Sequence, residues 1–436
     1  MNGLIMAGQL ILGLSILVIL HEFGHFIAAK AFGIKVEKFY LFFDAWGIKL
    51  FKFKKGETEY GIGWLPLGGY VKIAGMIDES MDKEQMKKPP QPWEFRSKPA
   101  WQRLIVMIAG VVVNAILGVI IFAFLLFHYE QYLPNKQLQN DGIYAYKLAK
   151  DIGFKTGDKV YSINGKEVIR FKDIKSTNAI LGSTVTVNRN NSFVDITIPD
   201  TFYKNFKKSN KLFIEPLNFP FYVDSVIKDF PAAKSGIIKG DKILKIDSTQ
   251  ITSWGQFTEI ISSEKGKEVN MAVLRNNDTL NLNLTIDTSG VIGIFRSPMP
   301  YKLMSYSFSQ ALKFGYKDAY NLLAANIKGF GKIIKGEEKA SESIQGPIGI
   351  ATIYGGNWDW HRFWFITGLL SLILAFMNIL PIPALDGGHV VFLTIEAVTR
   401  RKIPDKFMEY AQIVGMVILL LLMVFAFGND IFRLLK

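Results

Sequence analysis

Three residues that could perform metal-dependent chemistry lie at the end of the first apolar segment. This segment closes with HEFGH, in which His21 and His25 are four residues apart and Glu22 follows the first histidine. Residues four apart lie on one face of a helix, so both imidazoles can reach one Zn²⁺ at about 2.0–2.1 Å. Glu22 is then placed to take a proton from the water that attacks a substrate. The spacing predicts a zinc hydrolase.

The surroundings of these residues favour a metal over the alternative, which is two surface histidines and a carboxylate at a helix end. An unpaired charged group at membrane depth costs roughly 2.5–3.5 kcal/mol, and a metal ion is the simplest compensating partner. A catalytic zinc usually has three protein ligands and a water. Because HEFGH supplies only two ligands, the third must come from elsewhere in the chain.

The candidate for the third ligand is Asp386, which lies in MNILPIPALDGGH at the end of another apolar segment. Pro381 and Pro383 prevent an ordinary helix there, so the segment should bend and carry the carboxylate back toward the membrane interior. One alternative is a solvated Asp386 at a turn on the membrane edge. Another is His389, a competing ligand that we rank below Asp386.

Four apolar segments are long enough to cross a bilayer as helices, for which about 20 residues suffice. They are 4–20, with a helical pattern that continues to about residue 31, and 104–127, 363–380 and 413–427. We do not expect the first to be a signal peptide, because no basic region precedes it and no small-residue cleavage pattern follows it. The chain is therefore predicted to be a polytopic α-helical membrane protein.

The connections between these segments carry the charges that set orientation. Residues 30–103 are rich in Lys and Arg. The last connection also holds four basic residues: Arg400, Arg401, Lys402 and Lys406. Short basic loops stay in the cytoplasm, which places 128–362 outside it and the zinc site within the membrane, near the cytoplasmic side. Arg433 and Lys436 argue weakly for the opposite orientation.

The composition excludes several classes of function. The chain has no Cys, which excludes disulfides, cysteine zinc sites and thiol catalysis. Its net charge is +13, and we assign this charge to loops that flank membrane segments. Because the basic residues are spread along the chain rather than gathered on one element, we expect no nucleic-acid partner.

Two stretches of the predicted external region, 153–168 and 236–251, resemble each other. They read GFKTGDKVYSINGKEV and GIIKGDKILKIDSTQI, with Gly157 and Gly240 at positions that suit a turn with positive φ. After the second copy, 254–261 has a helical pattern, and VNMAVLR and LNLNLTI alternate as two strands. The stretch FPAAKSGIIKGDKILKID resembles the core signature of bacterial PDZ domains.

This resemblance implies two tandem PDZ domains of the α+β type, which we place at 128–213 and 214–297, outside the cytoplasm. PDZ domains bind extended peptide ligands by adding a strand to a sheet edge. The alternative is that they are spacers or size filters, since a fold does not define a function. The region 298–361 should contain amphipathic linker helices. Its basic part, 303–336, would lie on the membrane surface or against the PDZ domains.

HEFGH on the first apolar segment, with NILPIPALDG on a later one, resembles the site-2 protease family of intramembrane metalloproteases, in its bacterial RseP type. The resemblance covers nearly the whole chain and includes PLGGYVKIAG, FRSKPAWQRLIVMIAGVVVN, GPIGIA and GNDIFRL. It implies that Glu22 is the catalytic base. It also implies that three residues bind Zn²⁺: His21, His25 and Asp386.

The family further implies a membrane-associated β-hairpin before PLGGY. The residues agree, because GIKLFKF and TEYGIGW alternate around a KKGE turn. Such a hairpin could offer an edge strand to an unwound substrate helix. The substrate-binding residues that this resemblance suggests are Asn378, Gly68, Gly69 and Tyr70. One departure is Val112, because the family often has Pro two positions before the residue that corresponds to Asn114.

The expected architecture places two membrane helices and the hairpin in 1–127, the two PDZ domains and the linker next, and two further membrane helices in 362–436. The resemblance implies a multi-pass protein of the bacterial inner membrane that cuts membrane-spanning proteins or peptides. A previously trimmed anti-sigma factor, in an envelope stress response, is the expected substrate. The alternatives are clearance of remnant signal peptides and a non-catalytic PDZ scaffold, although an intact HEFGH argues against a scaffold.

Overall fold

The computed structural model describes residues 2–66, 68–76, 89–180, 182–202, 206, 213–217, 221–297, 301–337 and 345–434. The chain divides into two compact units. We call Met1–Glu130 together with Ser307–Lys436 the helical unit, and Gln131–Tyr306 the repeat unit. Leu67 of PLGGYVKIAG and residues 338–344 of the expected linker lie outside the described residues.

The helical unit begins with a long helix, a small sheet and a second long helix. The first helix, α1 (Asn2–Ala31), ends where Gly33 turns the backbone to a φ of +65°, a conformation that favours glycine. The elements that follow are β1 (Val36–Leu41), β2 (Lys49–Lys55), β3 (Thr58–Gly63), β4 (Tyr70–Ile73) and α2 (Ala100–His128).

The four strands form one sheet in the order β2–β3–β1–β4. β2 and β3 are the antiparallel pair that flanks the KKGE turn, with Lys55 opposite Thr58. β1 runs parallel to β3 and antiparallel to β4, so β4 lies at one edge of the sheet. The sheet packs against α1, where the ring of Phe26 lies 5.6 Å from that of Phe39 and 6.1 Å from that of Tyr60.

The first half of the repeat unit contains two small sheets, β10–β9–β7–β8 and β11–β6. Its elements are β5 (Gln131–Tyr132), β6 (Ile143–Ala145), α3 (Lys147–Lys150), β7 (Lys159–Ile163), β8 (Lys166–Glu167), α4 (Thr177–Ile180), β9 (Ser183–Arg189), β10 (Ser192–Ile198) and β11 (Ile214–Pro216). Because β11 pairs with β6, the first half extends three residues past the boundary at 213 that we expected.

The second half has the same strand order, β14–β13–β15–β16 and β12–β17. Its elements are β12 (Val223–Val226), α5 (Pro231–Lys234), β13 (Lys242–Ile246), β14 (Thr249–Gln250), α6 (Trp254–Ser263), β15 (Glu268–Arg275), β16 (Asp278–Thr285), β17 (Ile294–Arg296) and β18 (Met304–Ser305). β18 pairs with β5, so the chain enters and leaves the repeat unit at adjacent positions.

An ion pair between a buried aspartate and a partly exposed arginine occurs at the same place in both halves. Arg189 donates to both carboxylate oxygens of Asp158 at 2.7 Å. Arg275 donates in the same way to Asp241, also at 2.7 Å. Each arginine also donates to the backbone oxygen of the glycine that opens its repeat. The repeated Gly-Asp dipeptide is thus explained by a carboxylate that anchors the sheet to the preceding turn.

Among the described residues, the chain returns to the helical unit through five helices: α7 (Phe308–Ile334), α8 (Pro347–Tyr354), α9 (Trp360–Ile379), α10 (Asp386–Thr399) and α11 (Asp405–Leu434). Four helices of the described chain are long and apolar enough to cross a membrane: Asn2–Ala31, Ala100–His128, Trp360–Ile379 and Lys406–Arg433. A helix that is long and apolar enough is therefore present at each of the four predicted places.

The amphipathic helix α7 packs against α2 and α9, two of these four helices. Gly315 lies against the backbone of Ala123, where an added Cβ would come within 2.6 Å of the Ala123 Cα. Farther along α7, the rings of Phe330 and Phe376 are 6.3 Å apart. This contact with the helix bundle was not among the placements that the sequence suggested for 303–336.

The motifs GPIGIA and GNDIFRL meet at the start of α8. Asp430, from α11, is 3 % exposed and accepts hydrogen bonds from the backbone N–H groups of Gly346 at 3.0 Å and Gly349 at 2.9 Å. The carboxylate satisfies donors that a helix N-terminus leaves without partners. An added Cβ at Gly346 would lie 2.6 Å from Oδ2 of Asp430. The glycine therefore permits this approach.

We predict that Asp241→Asn destabilises the second half of the repeat unit by about 2 kcal/mol, because the neutral amide loses the charge-assisted hydrogen bonds from Arg275. Burial alone would raise the pKa of Asp241, but hydrogen bonds from Arg275 and the Ile238 N–H lower it. The stabilisation is therefore complete above the unfolded pKa of about 3.9 and lost as pH falls through the lower folded pKa. Amide hydrogen exchange in β15 measures the effect.

The control is Asp224→Asn, which removes an exposed pair with Lys239. Its expected cost is at most about 1 kcal/mol. Equal protection of β15 in both variants would contradict the role of the pair between Asp241 and Arg275.

Candidate metal centre

The two histidines of HEFGH and Asp386 converge on one point. His21 and His25 lie one turn apart on α1, with their Nε2 atoms 3.2 Å from each other. Oδ2 of Asp386 lies 3.1 Å from Nε2 of His21 and 3.4 Å from Nε2 of His25. All three ligand atoms are within 4.8 Å of one another. The structure thus brings together, from opposite ends of the chain, the three residues that the sequence suggested.

The spacing and chemistry of these atoms fit a zinc ion. Atoms placed tetrahedrally about 2.0–2.1 Å from zinc are about 3.3 Å apart, which matches the three distances. Nδ1 of His25 lies 2.8 Å from the backbone oxygen of Val106 and donates its proton there. The lone pair of Nε2 therefore faces the point on which the three residues converge. Oδ2 of Asp386 is buried and has no hydrogen-bond donor among the described residues. A cation would satisfy all three lone pairs.

The position of Asp386 depends on a tight turn between α9 and α10. α9 ends at Ile379, and Ala384 adopts a φ of +76° before α10 begins at Asp386. At Gly387 an added Cβ would come within 2.2 Å of the Leu380 oxygen. Glycine is therefore required for the turn to fold back against α10. In this first helical turn, the carboxylate is also stabilised by the helix dipole.

Glu22 and strand β4 line the same cavity as the three ligand residues, and this cavity has a volume of about 660 Å³. Glu22 is half-buried, and Val71 of β4 lines the cavity together with it. β4 approaches α1 at Gly69, where an added Cβ would lie 2.7 Å from Val18. The two glycines of PLGGY thus precede a strand that reaches the metal centre.

The other predicted residues also line this cavity. Asn378 places its amide nitrogen 3.2 Å from Nε2 of His21. Tyr70 lines the wall, but its hydroxyl donates to Asp44 at 2.8 Å and stays out of the ligand cluster. His389 lines the cavity as well, but it is absent from the group of ligand atoms within 4.8 Å in the described chain.

Two residues of α2 that contact the histidines had no predicted role: Gly110, which the sequence did not suggest, and Asn114, which was noted only as a position of the family pattern. At Gly110, an added Cβ would come within 2.3 Å of Nε2 of His25. At the facing position, a Cβ on Gly24 would come within 2.6 Å of the Ala109 oxygen. Asn114 lies one turn beyond Gly110, with its amide 3.3 Å from Nδ1 of His21. A lone Asn within an apolar helix is a recognisable signal, because such residues are rare at membrane depth.

This site is typical of zinc metallopeptidases. It combines two histidines one turn apart, a carboxylate from a separate helix and an adjacent glutamate. Here the helix that carries the histidines and the glutamate is long and apolar enough to span a membrane. The family model described as Peptidase family M50 matches residues 9–422. The chain belongs to this family, which is the site-2 protease family that the paired motifs resemble, and it is a zinc metalloendopeptidase.

Relatives match the chain over nearly its whole length. The regulator of sigma E protease of Haemophilus influenzae is 30% identical over 98% of both chains. The regulator of sigma-E protease RseP of Escherichia coli is 28% identical over 97% of this chain and 98% of its own. Among solved structures, the PDZ domain of an SdrC-like protein from Listeria monocytogenes is 32% identical over 17% of this chain and 85% of its own, with a TM-score of 0.16.

We predict that Gly110→Ala weakens zinc binding at least about tenfold, because the new methyl group would push His25 away from the other ligands. The control is Gly8→Ala, since nothing lies within 4 Å of a Cβ at that position. Zinc content after purification, followed by chelator competition, measures the effect. If both variants retain zinc equally, the close packing of α1 on α2 does not position the ligands.

Proposed function

We propose that this protein hydrolyses a peptide bond within the membrane segment of single-span membrane proteins or peptides. The observation that carries this proposal is the common cavity, in which the three ligand atoms, Glu22 and the edge strand β4 face one another. Both α1 and α9, whose residues line it, are long and apolar enough to cross a membrane. A substrate in this cavity would be cut at membrane depth.

The chemistry is divided among four side chains. His21, His25 and Asp386 would hold zinc, which when bound polarises the substrate carbonyl and makes a water more acidic. Glu22 lies next to His21 in the chain and faces the same cavity, so it is placed to accept a proton from the attacking water. It then passes this proton to the leaving amine, as a general base that becomes a general acid.

A substrate helix must unwind before its carbonyl reaches the metal, and its freed backbone groups then need partners. β4 pairs with β1 on one side only in the described sheet, so its other edge can pair with an extended substrate. Gly69 allows the chain before this strand to approach Val18 of α1, Gly68 lies against the ring of Phe43, and Tyr70 shapes the wall. Asn378 lies beside Nε2 of His21, where its amide can bond the scissile peptide.

We place the protein in a bacterial inner membrane, with the metal centre near the cytoplasmic side and the repeat unit outside the cytoplasm. This orientation follows from the basic connections between the membrane helices. We assign a PDZ domain to each half of the repeat unit, on the basis of FPAAKSGIIKGDKILKID and the repeated strand order. A bulky external domain would restrict access to substrates that another protease has trimmed.

The relatives from H. influenzae and E. coli are named as regulators of sigma E. By analogy, we propose a trimmed anti-sigma factor as the substrate and an envelope stress response as the setting. Remnant signal peptides are the second candidate, because they are also short membrane-spanning chains and would fit the same cavity. A scaffold without catalysis is disfavoured, since such a protein needs neither Glu22 nor converging ligands.

We predict that Glu22→Gln lowers the cleavage rate at least about 100-fold, because the amide cannot accept the proton. Zinc content should stay at the wild-type level, since the carboxylate is not one of the three ligands. The control is Glu57→Gln, which changes an exposed glutamate of the β2–β3 turn. Cleavage of a single-span substrate in detergent or vesicles is the measurement, and wild-type activity of Glu22→Gln would overturn the assignment.

The same variant distinguishes the two substrate classes. Membrane peptides that accumulate in cells carrying only Glu22→Gln can be identified by mass spectrometry. An enriched single-span regulator that has lost its external domain favours the anti-sigma role. A broad set of signal peptides favours clearance.

We further predict that removing 131–306 permits cleavage of a substrate that still carries its external domain. Ser305 lies opposite Gln131 in the β5–β18 pair, so a short linker can join Glu130 to Ser307. The same deletion combined with Glu22→Gln is the control for unrelated proteolysis. If the deleted protein still rejects untrimmed substrate and still cuts the trimmed form, the repeat unit does not control access.

A further inference from the structure

The imidazole of His21 lies between two side-chain amides that face its two nitrogens. Asn378, from α9, is 3.2 Å from Nε2. Asn114, from α2, is 3.3 Å from Nδ1. Nε2 is the nitrogen that faces the other two ligand residues, so Nδ1 lies on the far side of the ring from the proposed metal. The two amides therefore serve different purposes.

Nδ1 of His21 needs a hydrogen-bond acceptor if Nε2 binds the metal. A neutral imidazole that binds a cation through one nitrogen carries its proton on the other. The Nδ1–H of His21 is then a buried donor that needs an acceptor. For His25 this acceptor is the backbone oxygen of Val106. For His21 the hydrogen bonds of the described residues include no backbone acceptor, and the side chain within reach is Asn114.

Asn114 contains the acceptor that this donor needs. The residue is 1 % exposed, and its Oδ1 has no hydrogen-bond donor among the described residues. A half-turn of the amide exchanges its oxygen and nitrogen, which brings the oxygen to the Nδ1–H of His21. The main chain is anchored separately, because Oγ of Ser371 donates to the backbone oxygen of Asn114 at 2.7 Å. The amide can therefore turn without a shift of α2.

We propose that Asn114 is a positioning residue of the metal centre, whose amide oxygen accepts the Nδ1–H of His21 and keeps Nε2 directed at the cation. This inference rests on the proposed function in one respect, the binding of zinc by the three ligand residues. A partner of this kind orients the ligand ring and increases its basicity, and its loss weakens metal binding about 10–100-fold. Asn378 faces the cavity side of the same ring, so its removal should reduce cleavage while zinc binding is kept.

The alternative is that Asn114 only joins two helices, as polar residues in membrane helices often do. Zinc affinity distinguishes the two roles. We would measure the zinc dissociation constant of the full-length protein in detergent by competition with a chelator. Asn114→Leu keeps a similar volume but has no acceptor, whereas Asn114→Asp keeps an acceptor oxygen. Ser371→Ala is the matched control, because it removes only the bond to the Asn114 main chain.

We expect the dissociation constant to rise about 10–100-fold in Asn114→Leu and to stay near the wild-type value in Asn114→Asp, Ser371→Ala and Asn378→Leu. Wild-type affinity in Asn114→Leu would overturn the positioning role while leaving the zinc assignment intact. If the wild-type protein binds zinc no better than His21→Ala, the zinc assignment fails and the positioning role fails with it.

Thermal unfolding with excess chelator shows whether Asn114→Leu also destabilises the zinc-free fold. If it does, Asn114→Asp decides the question. Wild-type zinc affinity of Asn114→Asp supports an acceptor at this position, and an affinity as low as that of Asn114→Leu overturns it.

Discussion

Three lone pairs that face one another within 3.1–3.4 Å are the constraint on which the helical unit depends. In a medium of low dielectric constant, two imidazole nitrogens and a carboxylate oxygen without a donor between them are costly to hold together. A divalent cation converts this cost into a strong attraction, and it also links α1 to the turn before α10. The metal centre is therefore a structural junction as well as the proposed site of chemistry.

Close backbone contacts determine where these lone pairs lie. Glycines allow the main chains to approach at three places: Gly24 with Gly110 between α1 and α2, Gly69 before β4 against the Tyr40 oxygen of β1, and Gly387 at the start of α10 against the preceding turn. Any side chain at these positions would separate elements that must stay within a few ångströms. Membrane helices use small residues for such approaches. Here the approaches also position the proposed ligands, the proposed catalytic glutamate and the edge strand.

The features that follow local rules were predictable from the sequence. The spacing of His21 and His25 is a property of one helix, and the bend that presents Asp386 follows from two nearby prolines. Asn114 is a recognisable signal within α2, but its partner was not predictable, because no spacing rule relates Asn114 or Gly110 to histidines about ninety positions earlier. The packing of α7 was ambiguous for a similar reason, since a pattern of apolar residues shows that a face is buried but not what buries it.

Buried polar contacts in the helical unit fix how its helices align along one another more than they stabilise the unit. In an apolar bundle, sliding one helix along another changes dispersion contacts little, but it separates a polar group from its partner at considerable cost. Ser371 with the Asn114 carbonyl aligns α9 with α2, and Asp430 with Gly346 aligns α11 with α8. The first of these contacts lies next to His21. The main chain next to His21 is thus aligned independently of the Asn114 amide that faces the imidazole.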